Sequence, residues 1–235
     1  MCTVTYLVFG KQICITSNRD EQVNRKAIPP AVYQHKNKHL TYPKDPLAGG
    51  TWFAADEFGN IAVLLNGAKE KHSHKPPYGK SRGLIVIEIL QEVDCLATWR
   101  KIDLDKIEPF TIVLFFDGNL FQLQWDGHAK DLQSIDSSAP HIWSSSTLYD
   151  TEIRINRESW FRKFLMLENE LNPEKMLHFH QYTESDNPEY GLVINRNGRL
   201  KTLSITQAVT TDKVTVLTYN DLINASIHTV STTDN

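Results

Sequence analysis

No stretch of this sequence approaches the roughly 18 consecutive apolar residues that a membrane-spanning helix needs, so no integral membrane segment is expected. Charge of one sign is not concentrated anywhere either. Lysine and arginine are scattered, the formal net charge is −3, and the electrostatic stripe of a nucleic-acid-binding protein is missing. Cysteine is scarce: three residues at irregular spacing make no disulfide framework and fit a reducing compartment. The first residues lack the basic region and long apolar run of a secretory leader, which makes the cytoplasm the expected location. Repeats, low-complexity blocks and domain-splitting linkers are also missing. Residues 1–235 therefore read as one domain, with the last few residues expected to be disordered. What is there is an ordinary globular composition, with 40% apolar residues to build a core.

Periodicity and turn chemistry mark out the elements. Residues 3–9 and 12–17 are β-branched and apolar on either side of Gly10-Lys11, a hairpin signal. Residues 22–48, polar and rich in proline and lysine, read as irregular surface loop. A second hairpin pairs 51–56 with 60–67. The polar loop 68–80 carries His72 and His74; two histidines are too few ligands, so neither a metal nor a cofactor is expected. Residues 84–98 read as one helix with Cys95 buried in it. The clearest hairpin is 109–127, turning at Asp117-Gly118-Asn119, with a first strand apolar on both faces as in a doubly covered sheet. A short strand in 141–150 enters a serine-rich turn. An amphipathic helix over 151–169, capped by Asp150 or Thr151, and a shorter helix from Asn172-Pro173 follow. In a helix His178 and His180 point different ways; in an extended segment they share a face. Residues 191–209 form a hairpin tipped by Asn197-Gly198, and 212–222 a last edge strand. Strand pairs, then helices, then strands again favour an α+β fold over alternating βαβ units.

The chemistry concentrates at the start. If Met1 is removed, Cys2 carries both a thiol and a free α-amine, a nucleophile joined to its own general base. The first hairpin returns Arg19 and Asp20 toward that end. Arg19 lowers a thiol pKa by its fixed charge, and Asp20 holds the terminal amine or ammonium. Cys14, inside the second strand, reads as a small core residue.

The opening Met-Cys-Thr-Val and the string SNRDE at 17–21 resemble the NRDE, or transport-and-Golgi-organisation, family. GGTWFAAD at 49–56, AVLLNG at 62–67 and KSRG at 80–83 match it in the same order. That family is similar to the cysteine N-terminal-nucleophile (Ntn) hydrolases, amidases such as penicillin V acylase and bile-salt hydrolase. The resemblance implies a four-layer α-β-β-α sandwich. It also implies an oxyanion donor at Asn66 beside Cys2, Arg19 and Asp20, with ligand contacts at Asn18, Trp52 and Ser145. Where the family commonly carries Leu-Ser-Asn, this chain has Trp143-Ser144-Ser145. The second amide is missing, and the hydroxyl of Ser145 or Ser146 is left as donor. The implied ligand is a small-molecule amide or thioester that the enzyme cleaves. The alternative is a carrier of a hydrophobic ligand such as haem or an acyl-CoA, since some relatives are associated with haem handling.

Overall fold

The computed structural model describes residues 3–36, 38–211 and 214–232. In chain order the elements are β1 (Thr3–Phe9), β2 (Gln12–Gln22), β3 (Ile28–His35), β4 (Lys38–Lys44), β5 (Phe53–Asp56), β6 (Ile61–Asn66), α1 (Arg82–Leu90), α2 (Cys95–Lys101) and β7 (Phe110–Phe116). The rest are β8 (Asn119–Trp125), β9 (Lys130–Ile135), β10 (His141–Ser144), α3 (Thr151–Leu167), α4 (Pro173–Tyr182), β11 (Asn195–Arg196), β12 (Leu200–Thr211), β13 (Val214–Asp221) and β14 (Ser226–Ser231). They form two seven-stranded sheets. The first has the order β10-β1-β2-β12-β13-β14, with β11 on β12; the second runs from β3 to β9 in sequence order.

Side-chain alternation along the strands decides what lies between the layers. From β1 and β2, Val4, Tyr6, Ile13 and Ile15 join Val63 and Val113 of the second sheet in the main core. The intervening Leu7 and Cys14 pack instead against Phe161 of α3 and Met176 and Phe179 of α4. Across the second sheet, α1 and α2 close the other side, Trp99 meeting Phe110 edge-on at 6.0 Å between ring centroids. The result is an α+β, four-layer α-β-β-α sandwich. Each large side chain buried in it stabilises the fold by about 1.5–3 kcal/mol.

Several elements differ from the sequence expectation, each for a physical reason. The stretch 22–48 is not irregular: it holds β3 and β4. The prolines of β3 are tolerated because it is an edge strand, and its register shifts between Ile28 and Ala31 where they fall. Lysine in β4 disguised a buried position. Lys38 is sheltered, and its ammonium donates to Asp56 (3.0 Å) and to the carbonyls of Leu90 and Glu92. The helix expected over 84–98 is two helices, because Asp94 caps a new start by accepting from the Ala97 amide. The last edge strand is β14 rather than β13, and β9 was not expected. Of the 191–209 hairpin only the two residues of β11 pair with β12. The helices expected from Asp150 and Asn172 form as α3 and α4, each capped by that side chain.

Two glycines of the GGTWFAAD and KSRG strings explain each other. The Thr51 amide donates to the Gly83 carbonyl (3.2 Å), which seats the start of α1 directly on the chain entering β5. A Cβ on Gly50 would fall 2.4 Å from the Gly83 carbonyl carbon, and one on Gly83 would fall 2.7 Å from the Thr51 oxygen. Backbone cannot yield there as a flexible side chain would. Gly50→Ala and Gly83→Ala are each expected to destabilise by about 1–3 kcal/mol, the range for overpacking. Urea unfolding would read this as a lower midpoint at unchanged slope, and an unchanged midpoint in both variants would remove the constraint.

Candidate active site

β2 carries the SNRDE string, and its alternation sends neighbouring residues to opposite faces. Asn18 and Asp20 turn to the helix layer. The Asn18 amide donates to the carbonyls of His180 (3.1 Å) and Leu192 (2.7 Å). Asp20 accepts from the Tyr149 hydroxyl (2.7 Å) and the Thr202 hydroxyl (2.5 Å). Arg19 turns the other way, its guanidinium stacked 4.4 Å above the Trp52 ring and donating to the Arg25 carbonyl. Cys2 lies outside the described residues. Thr3, bonded to it, pairs in register with Asn18 on one side and Ser144 on the other.

Arg19, Trp52 and Asn66 line one cavity of about 70 Å³, walled also by Arg25 and Arg82. The three arginines differ in how they are compensated. Arg25 pairs with Asp45 (2.6 Å) and Glu21 (3.2 Å), and Arg82 with Glu108 (2.9 Å). Arg19 has no carboxylate within ion-pair distance among the described residues. Burial pushes its pKa below the usual guanidinium value, with Glu21 opposing, yet a guanidinium stays charged at any working pH. The Trp52 indole N–H is buried without a hydrogen-bond partner among the described residues. The Asn66 carboxamide makes no hydrogen bond within the described residues; only its backbone carbonyl is engaged, by the Ser145 hydroxyl (2.8 Å).

Ser145 lines a second, larger cavity of about 440 Å³ between β6–β8 and β10, with Leu65, Thr111, Gln124 and Trp143. The structure thus gathers Arg19, Trp52 and Asn66, ties Ser145 to the end of β6, and leaves Asn18 and Asp20 on the far face of β2. Both candidate serine hydroxyls donate to backbone: Ser145 to Asn66 and Ser146 to Glu70. His72 and His74 both meet Glu108, at 3.2 Å each. The His178–His180 stretch is helical, and His180 is buried, 2.7 Å from the Thr5 hydroxyl and bonded to Asn18. Burial, and then the Arg157 charge, lowers the His180 pKa to about 3, so its ring is neutral. Arg82 lay within the KSRG string. Arg157, Tyr149 and Thr202 had no local signal, because their partners are brought by topology.

Facing antiparallel sheets between two helix layers make an Ntn-hydrolase-like fold. Solved structures agree on the fold. An N-acylethanolamine-hydrolyzing acid amidase ortholog from Caenorhabditis elegans is similar at a TM-score of 0.60 and 10% identity, over 88% of this chain and 92% of that one. One variant of the conjugated bile acid hydrolase from Clostridium perfringens gives 0.56 at 9% identity, over 98% and 92%. A second variant of that hydrolase gives 0.55 at 8%, over 100% and 93%. The chain belongs to the Transport and Golgi organisation 2 family, whose profile matches residues 1–216. No curated protein matches the sequence significantly. No helix among the described residues is long and apolar enough to cross a membrane.

Burial raises the pKa of both Cys14 and Cys95 to about 12. At pH 8 only about one part in 10⁴ of either thiol is ionised, and the thiolate is what alkylates. Limiting iodoacetamide on the folded protein, read by peptide mapping, is expected to modify Cys2 and leave Cys14 and Cys95 intact. Preferential labelling of either buried thiol would count against a reactive Cys2.

Proposed function

We propose that this protein is a one-domain, cytoplasmic Ntn hydrolase that cleaves a non-peptide carbon–nitrogen amide, or a thioester, with Cys2 as nucleophile after removal of Met1. The observation that carries this reading is the shared cavity of Arg19 and Asn66. Among the described residues, one supplies a buried cation with no carboxylate at ion-pair distance, the other a carboxamide with no hydrogen bond. Such a pair suits the two charges of acyl transfer, the attacking thiolate and the developing oxyanion.

The steps follow from acid–base chemistry. The Cys2 α-amine takes the thiol proton, and the thiolate adds to the acyl carbon. The carbonyl electrons move to oxygen, where the Asn66 amide donates a hydrogen bond. The tetrahedral species collapses, the carbon–nitrogen bond breaks, and the α-ammonium hands its proton to the leaving amine. Water, deprotonated by the same amine, then cleaves the thioester and frees the acid and the thiol. Asp20 orients the terminal ammonium, while Arg19 favours the thiolate. The smaller cavity suits a compact polar group and the larger one an acyl or amine substituent. The fold neighbours, an acid amidase and a conjugated bile acid hydrolase, favour N-acyl compounds as first probes.

A panel of N-acyl amides, an N-acylethanolamine among them, and acyl thioesters tests the reading. Intact mass of native material should lack one methionine. Cys2→Ala is expected to abolish turnover. Asn66→Ala is expected to lower kcat by about a hundredfold or more with KM little changed, as for loss of one oxyanion donor. No hydrolysis across the panel, together with tight binding of haem or an acyl-CoA, would overturn the enzyme reading in favour of a carrier.

A further inference from the structure

The helix layer over the first sheet hides a second arginine that the chemistry above does not use. Arg157 of α3 is 0% exposed, and among the described residues no carboxylate lies within ion-pair distance of it. Its guanidinium sits 3.6 Å above the Tyr149 ring. It donates to the Thr3 hydroxyl and to the carbonyls of Tyr190 (3.1 Å) and Gly191 (2.6 Å), while its Nε–H has no partner among the described residues. A buried, unpaired charge is costly, and apolar replacement of buried ions is often neutral or stabilising. Packing alone therefore gives no reason for a cation here.

Its contacts give one. Thr3 is covalently joined to Cys2, and Tyr149, on whose ring Arg157 lies, donates its hydroxyl to Asp20. We propose that Arg157 is a positioning residue for the N-terminal site: it fixes the start of β1 through Thr3, steadies Asp20 through Tyr149, and supplies a water-excluded positive charge that keeps the Cys2 thiol ionised at lower pH. This rests on the reading of Cys2 as nucleophile.

The field of Arg157 is opposed in part by a nearby carboxylate and reinforced by a second cation. On β2, Asp20 is the one carboxylate bonded to this cluster in the described residues, and it lies beyond the Tyr149 ring. On the opposite face of β2, Arg19 adds positive charge. Arg196, 5.3 Å from the Tyr149 ring, is paired with Glu189 (3.4 Å), so its charge is largely offset. His180 of α4 is neutral, and the Arg157 charge is one cause of its lowered pKa. Arg157 is one hydrogen bond from Thr3, the residue that follows Cys2 in the chain. At an effective dielectric of about 20, a unit charge roughly 10 Å from a titrating group moves its pKa by about one unit.

The test follows the rate of Cys2 alkylation by iodoacetamide against pH, read by peptide mapping. It does not depend on turnover, so failure of the amidase reading and failure of this inference are separate results. Wild type is expected to show an inflection below the ordinary thiol value of about 8.5. Arg157→Gln removes the charge but keeps a hydrogen-bond donor for the carbonyls; it should raise the inflection by about one unit. Arg157→Lys should restore it to within a few tenths. Because a neutral variant can fail to fold, wild type is also measured in 0.05 and 1 M salt, concentrations at which the screening length falls from over 10 Å to about 3 Å. A buried cation predicts an unchanged inflection. The inference is overturned by a wild-type inflection near 8.5, by one that moves to 8.5 in high salt, or by a folded Arg157→Gln protein with the wild-type profile.

Discussion

The candidate site depends on the two-residue alternation of one strand. β2 lies between β1 and β12 at the centre of the first sheet, and its even and odd residues serve different layers. Had Asn18, Arg19 and Asp20 sat in a loop, they could have turned to one pocket. In a central strand they cannot. Arg19 is committed to the gap between the sheets with Trp52 and Asn66, and Asn18 and Asp20 to the helix layer with His180, Tyr149 and Thr202. The consequence is a site supported from both sides of a thin sheet. Groups on the hidden face and groups lining the cavity are joined through the strand itself.

Such an arrangement places many polar groups in dry surroundings, and each needs partners. The solutions differ along the sandwich. At one end Lys38 and Asp56 form a buried ion pair whose remaining valences are filled, by two carbonyls for the lysine and by the Asn60 amide for the aspartate. That network is closed on itself among the described residues. At the other end, among the described residues, Arg19 and Arg157 lean on aromatic rings instead of carboxylates, and the Trp52 indole has no hydrogen bond. A cation over a ring keeps its field, whereas one against a carboxylate largely loses it. The difference separates a structural network from one able to act on an additional charge.

How far this was legible in the sequence follows from how local each signal is. The first hairpin, the Asp117-Gly118 turn and the capped helices rest on residues within a few positions of one another, and they appear in the structure nearly where the text put them. Both turn residues take the positive φ that such a hairpin demands, 49° at Asp117 and 75° at Gly118. β3 and β4 were illegible because prolines and lysines are the composition of loops, and only pairing along the sheet shows that edge position excuses the one and Asp56 the other. The same division runs through the site. Arg19 and Asn66 were visible as members of strings. Arg157, with charged neighbours along α3, reads as a solvent-facing residue until the topology lays it on Tyr149 and Thr3.

The missing amide in Trp143-Ser144-Ser145 has a structural counterpart. A serine in that turn could have replaced it as a donor, but Ser145 spends its hydroxyl proton on the Asn66 carbonyl and Ser146 spends its own on the Glu70 carbonyl. The Gly67 backbone lies so close that a Cβ there would come within 2.3 Å of the Ser146 oxygen, so this turn is clamped onto the end of β6. A hydroxyl has one proton to give. Here those protons hold the strand that presents Asn66 and are not turned to a ligand. The serine turn therefore contributes rigidity to the one carboxamide that remains, and a reaction at this site would rest its oxyanion on Asn66 and the backbone amides around it.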